Sequence, residues 1–68
     1  MPIGIKVNGE ARTVAPEETI LDLLRGLGLD PARVAVELNR KIVKQPLWSE
    51  TRLDEGAQVE IVQFVGGG

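Results

Sequence analysis

Apolar and polar positions alternate along Ile3-Gly4-Ile5-Lys6-Val7, the period-two pattern of a strand with one face buried. Asn8-Gly9 follows and predicts a tight type I′ hairpin turn, because both residues tolerate the positive φ that such a turn requires. The return strand runs over Glu10 to Val14, with Val14 as its core position. Pro16-Glu17-Glu18 then ends the hairpin. Thr19, with Asp22 three residues on, has the spacing of a capping box in which Asp replaces the usual Glu or Gln. A helix starts there, and Ile20, Leu23, Leu24 and Leu27 fall on one stripe that must face a sheet. Gly28 supplies its C-terminal cap and Gly26 weakens its last turn, so the helix stops before Asp30-Pro31 after about two turns.

Alternation resumes at Val34-Ala35-Val36-Glu37-Leu38, with Val34, Val36 and Leu38 inward. Asn39-Arg40 turns the chain into a short strand around Lys41 to Lys44, which Pro46 terminates because proline cannot donate to a ladder. Residues 46 to 53 form an irregular crossing, Asp54-Glu55-Gly56 is a turn, and Ala57 to Val65 reads as the last strand. Hairpin, helix, short hairpin, crossing and final strand, in that order, describe an α+β domain with one helix across one face of a mixed sheet of four to five strands. The β-grasp arrangement meets these needs, with the final strand parallel to the first at the sheet centre and a right-handed crossing. Other strand orders are compatible with the same pattern. The domain is expected over residues 1–64, with a flexible tail at 65–68. At this size conformational entropy demands nearly all the aliphatic residues inside.

Composition narrows the function. The chain has 68 residues, eight Lys plus Arg against ten Asp plus Glu, and neither Cys nor His. A domain this short buries only ~60% of its unfolded surface and has little protein left to wall off a deep active site. Disulfides, thiolate nucleophiles and ordinary zinc sites are excluded, together with most acid–base schemes. No Lys/Arg cluster stands ready to neutralise phosphates, so nucleic acid is not an expected partner. Apolar runs such as Val34-Ala35-Val36 fall far short of a membrane span or a secretory core, so a cytoplasmic, membrane-free location is expected.

Three of the eight glycines occupy the last three positions, directly after a strand. They open no helix, so they cannot cradle phosphate, and Gly26-Leu27-Gly28 closes a helix and is no dinucleotide fingerprint. One reading is a frayed end. The other is a side-chain-free strip that enters a slot too narrow for any Cβ, led by the Gly68 carboxylate. Residues 65 to 68 fully extended reach at most ~14 Å. A carboxylate needs activation before it can react, and no nucleotide-binding motif is present, so the activating enzyme must be a separate protein. Ordering glycines costs on the order of 1 to 2 kcal/mol each, so affinity must come from the folded surface. Parity sends Val59 and Ile61 toward the helix, and Val62 and Phe64 to the opposite face beside the tail, as a candidate partner surface. A twist or bulge would instead carry Phe64 into the core.

The run Val34-Ala-Val-Glu-Leu-Asn39, the capped helix Thr19-Ile-Leu-Asp-Leu-Leu24 and above all Val59-Glu-Ile-Val-Gln-Phe-Val-Gly-Gly-Gly68 resemble the ThiS family of sulfur carriers in thiamine biosynthesis, part of the ubiquitin-like β-grasp group. The resemblance covers nearly the whole chain. Two small departures are Gly56-Ala57-Gln58, where an acidic residue is expected after the glycine, and Asn39-Arg40 in place of Asn-Gly. The resemblance implies that a partner adenylating enzyme uses ATP and magnesium to convert the Gly68 carboxylate to an acyl-adenylate. Sulfur from a persulfide donor then displaces AMP, and the resulting thiocarboxylate supplies thiazole synthase. Gly66 and Gly67 are then the threading strip and Gly68 the reacting residue. The chain itself is a co-substrate, not an enzyme, with no bound cofactor or metal, and is expected to be monomeric when free. A carrier for molybdopterin synthesis or another acceptor, and a ubiquitin-like modifier or binding module, are the alternatives. Arg40, Lys41 and Lys44 read as a solvated turn, Trp48 as a cover for the core beneath the crossing, and Glu17 and Glu18 as favourable charges at the helix start.

Overall fold

The computed structural model describes residues 1–64. Five strands, β1 (Ile3–Val7), β2 (Glu10–Val14), β3 (Val34–Leu38), β4 (Lys41–Val43) and β5 (Gln58–Gln63), form one sheet in the order β2-β1-β5-β3-β4. The helix α1 (Ile20–Gly26) lies between the two hairpins in sequence. The last strand is parallel to β1 and antiparallel to β3, so the mixed sheet has the ubiquitin-like β-grasp order. β5 is shorter than the Ala57 to Val65 expected from its apolar run. Ala57 precedes the ladder and is buried, Phe64 follows it, and Val65 lies outside the described residues.

Local chemistry explains each element. At the first turn Asn8 and Gly9 adopt φ of 51° and 84°, the positive values that match the turn's twist to that of its strands. The β3–β4 turn uses the same geometry at Asn39 and Arg40, with φ of 52° and 70°. α1 opens on the complete capping box: Thr19 Oγ1 accepts from Asp22 N at 3.2 Å, and Asp22 Oδ2 accepts from Thr19 N at 3.1 Å. It closes on a Schellman motif around Gly28, where Leu29 N donates to Leu24 O and Gly28 N to Arg25 O, both at 3.0 Å. Glu18 behaves differently from expectation. Its carboxylate turns back to accept from Ala15 N at 3.3 Å, closing the turn before the helix, and Asp22 is the acid in the first turn of α1.

Two short 3₁₀ turns, Pro31–Arg33 and Gln45–Leu47, were not indicated by periodicity. Each has proline in its opening positions, where the missing N–H costs nothing and the fixed φ is already helical. The second begins the crossing, which is tied to the helix entry through Ile20 N to Thr51 O, Leu21 N to Trp48 O and Leu53 N to Glu18 O. Trp48 is buried beneath it and donates from Nε1 to Val43 O at 2.7 Å, which satisfies its one polar group.

The core lies between α1 and one face of the sheet. Ile20, Leu23 and Leu24 of the helix meet Ile5, Val14, Val34, Val36 and Val59 of the strands, and Trp48, Leu53 and Ala57 seal the edge. Leu27 and Leu38 are half-buried at the rim. The aliphatic residues are not nearly all inside, however: Leu47 is exposed on the crossing, and Ile42 and Val62, with aromatic Phe64, are exposed because a single two-turn helix covers only one face of five strands.

Removing the cap in Thr19→Ala should cost ~1 kcal/mol in urea unfolding followed by the fluorescence of Trp48. The hydrogen bonds from Thr19 backbone and hydroxyl hold the Asp22 carboxyl below its ordinary pKa. A lowered folded-state value stabilises above the unfolded pKa and is lost as pH falls through the folded one. Acidification through that range should therefore weaken the native protein, and Asp22→Asn should flatten that part of the pH profile. Arg40→Gly should stabilise by roughly 0.5–1 kcal/mol, since glycine occupies the left-handed turn position without a Cβ penalty; an unchanged or lower urea midpoint would contradict this.

Candidate functional site

The sheet face away from α1 is built by the residues that alternate with the core. Pairing places Val62 of β5 beside Ala35 of β3, and Glu60 beside Glu37, which in turn faces Ile42 of β4. Val62 is 59% exposed, Phe64 57% and Ile42 76%. The expected parity thus puts Val62 and Phe64 on the uncovered face, two residues apart at the end of the central strand. Phe64 does not enter the core. Its N–H donates to Arg33 O at 2.7 Å, which extends the β3 side of the ladder one residue past β5.

Ile42 joins this face without having been singled out in the sequence. The signal was present in Lys41-Ile42-Val43, because the two-residue turn at Asn39-Arg40 fixes the register and sends Val43 inward and Ile42 outward. The Glu37–Glu60 pair was equally unanticipated, since it depends on the register between strands 20 or more residues apart. Like charges directly opposite each other disfavour a sheet, so this pair is not there for stability. Arg40, Lys41 and Lys44 are exposed. Among the described residues the ion pair seen is Arg33 with Asp30, at 3.6 Å on the surface.

A separate groove of about 320 Å³ lies near the end of α1, lined by Val7, Asn8, Arg12, Leu27, Leu29 and Ile61 among others. Val62 and Phe64 are not part of it. Gly66, Gly67 and Gly68, assigned to threading and reaction in the sequence, lie outside the described residues. Among the described residues no helix is long and apolar enough to cross a membrane. What the arrangement offers chemically is a central strand with Val62 exposed near its end and exposed Phe64 directly after it.

Substituting Val62→Asp or Phe64→Asp should leave urea stability within about 0.5 kcal/mol of the parent, since neither side chain is buried. A larger loss for Phe64→Asp would mean that it packs in the core in solution.

Comparison with known proteins places this geometry. The chain is similar to the thiazole synthase of Magnetococcus marinus, with 41% identity over 94% of the chain but only 20% of that protein. It thus spans about a fifth of the length of that relative, and 19% of a second thiazole synthase, from Paramagnetospirillum magneticum. It is also 30% identical to the sulfur carrier protein ThiS of Escherichia coli, over 94% of the chain and 97% of that protein. The crystal structure of a ThiS thiamine biosynthesis protein from Geobacter metallireducens superposes with a TM-score of 0.83 at 32% identity, covering 97% of this chain and all of that one. With the ThiS family model matching residues 5–68, the chain belongs to the ThiS family.

Proposed function

We propose that this protein is a sulfur carrier for thiazole formation in thiamine biosynthesis, a co-substrate and not a catalyst. The observation that carries the reading is Gly66-Gly67-Gly68, reached by the family match, two residues in sequence beyond exposed Phe64, which itself follows the central strand bearing exposed Val62. The names of the relatives favour the thiamine branch over the molybdopterin branch.

In this mechanism Val62 and Phe64 dock on an adenylating enzyme, and burying each contributes roughly 1.5–3 kcal/mol. Gly66 and Gly67 pass through a slot that no side chain could enter. ATP and magnesium belong to the enzyme. The Gly68 carboxylate attacks the α-phosphorus of ATP and expels pyrophosphate, giving an acyl-adenylate. The terminal sulfur of a persulfide donor then attacks the carbonyl carbon and expels AMP. A thiol reduces the acyl disulfide so formed, which leaves the thiocarboxylate on Gly68 and a disulfide on the donor. Thiazole synthase is the acceptor. Support for that partner comes from the proteins of that name in which about a fifth of the chain resembles this one, since tethering carrier and acceptor raises their effective concentration.

Intact mass spectrometry after incubation with the adenylating enzyme, ATP, magnesium and a persulfide donor should show one oxygen replaced by sulfur. A variant lacking Gly67 and Gly68 should stay unmodified and fail to support thiazole formation. Pathway activity that survives this deletion would end the carrier reading.

A further inference from the structure

The end of β5 is held unequally on its two sides. Toward β3 the ladder continues through Glu37 with Glu60 and Ala35 with Val62, and then to the Phe64 N–H bond. Toward β1 the backbone bonds run from Lys6 N to Ala57 O and from Asn8 N to Val59 O, and there β1 turns away into the hairpin. Ile61 is the next rung. No strand residue is left to fill it.

The side chain of Asn8 fills it instead. Its Oδ1 accepts from Ile61 N at 2.7 Å and its Nδ2 donates to Ile61 O at 3.2 Å. A carboxamide carries one acceptor and one donor side by side, as a peptide group does, so it substitutes for the missing strand residue. The contacts also fix which way the amide points, because the N–H requires an oxygen and the carbonyl requires an NH₂. Asn8 therefore does two jobs. Its backbone, at φ 51°, makes the turn, and its side chain locks the strand 53 residues away.

We infer that Asn8 is a positioning residue of the carrier: its carboxamide holds the end of β5 so that Val62 and Phe64 are presented in one fixed orientation. This rests on the proposed carrier function. Without the clamp the segment is anchored on one side only, and ordering it falls to the docking step, which weakens binding of carrier to enzyme. Once docked, the reacting carboxylate is unaffected.

The protein contains its own control. Asn39 sits at the equivalent turn position with φ 52° and makes a similar clamp at the opposite end of β5, donating from N to Gln58 O at 2.8 Å and accepting at Oδ1 from Gln58 N at 3.0 Å. Asn8→Gly and Asn39→Gly both keep a residue suited to positive φ, and both delete side-chain hydrogen bonds to the same strand. Only the first loosens the end of β5 that carries Val62 and leads to Phe64.

Amide hydrogen exchange by NMR reports the clamp, and Asn8→Gly should accelerate Ile61 by about tenfold while Asn39→Gly does not. Adenylation, followed as pyrophosphate release at a temperature where Trp48 fluorescence shows all chains folded, reports the positioning. Asn8→Gly should raise the KM for the carrier about three- to tenfold at unchanged kcat. Asn39→Gly should leave KM at the parent value. Asn8→Asp keeps the acceptor and loses the donor, so its KM should fall between. An unchanged KM in Asn8→Gly, or an equal rise in Asn39→Gly, overturns the inference and leaves the carrier function standing. If the parent chain is itself not adenylated, the carrier function fails and the inference falls with it.

Discussion

The structure depends on the insertion of its last strand between the two hairpins. β1–β2 and β3–β4 are local units, each joined by a two-residue turn, and neither pairs with the other. β5 bonds to both, parallel on one side and antiparallel on the other, and brings fully buried Val59 into the core. A lone two-stranded hairpin is marginal in water, and a sheet becomes independently stable only with three or more strands and an apolar face. The sheet is therefore incomplete until nearly the whole chain has been made. Val62 consequently belongs to the strand that joins the two hairpins, and its orientation is set by the same contacts that complete the fold.

Size imposes the second constraint. One helix of seven residues can screen only one face of a five-stranded sheet. The uncovered face has to remain compatible with water, and most of it does: Lys6, Thr13, Glu37 and Glu60 are polar and exposed. Ile42, Val62 and Phe64 depart from that rule. Single exposed apolar residues are ordinary, but two of these three stand together at the end of the central strand, where the proposed carrier function would have a partner make contact.

Most of the fold was legible in the sequence because its signals are local. Alternation marked β1 and β3, the Asn8-Gly9 pair marked the first turn, and Thr19 with Asp22 and Gly28 bounded the helix at both ends. The two 3₁₀ turns escaped because they span three residues each and have no period to detect; the prolines were read as strand and helix terminators and not as the start of a turn. Phe64 was assigned to the open face by parity alone, whereas Ile42 lies in a three-residue strand, too short for alternation to stand out. Glu18 was read as a charge near a helix end, yet a bond to Ala15 three residues back was equally available and is the one it makes.

What local pattern could not reveal is the second use of the turn asparagines. At the level of sequence, Asn8 and Asn39 are chosen for their tolerance of left-handed φ, and glycine would serve that purpose better. Their carboxamides become useful only when β5 lies alongside, 53 residues from the first turn and 19 from the second. The preference for asparagine over glycine at both turns then has a physical reason: one side chain continues a ladder where its own strand has bent away. It also separates two tasks in a small protein. The glycines, having no side chains, can supply reach but almost no affinity, and each loses backbone freedom on binding. Under the proposed carrier function, recognition then falls to the folded end of β5, and a strand end already hydrogen-bonded on both sides would lose less entropy on docking.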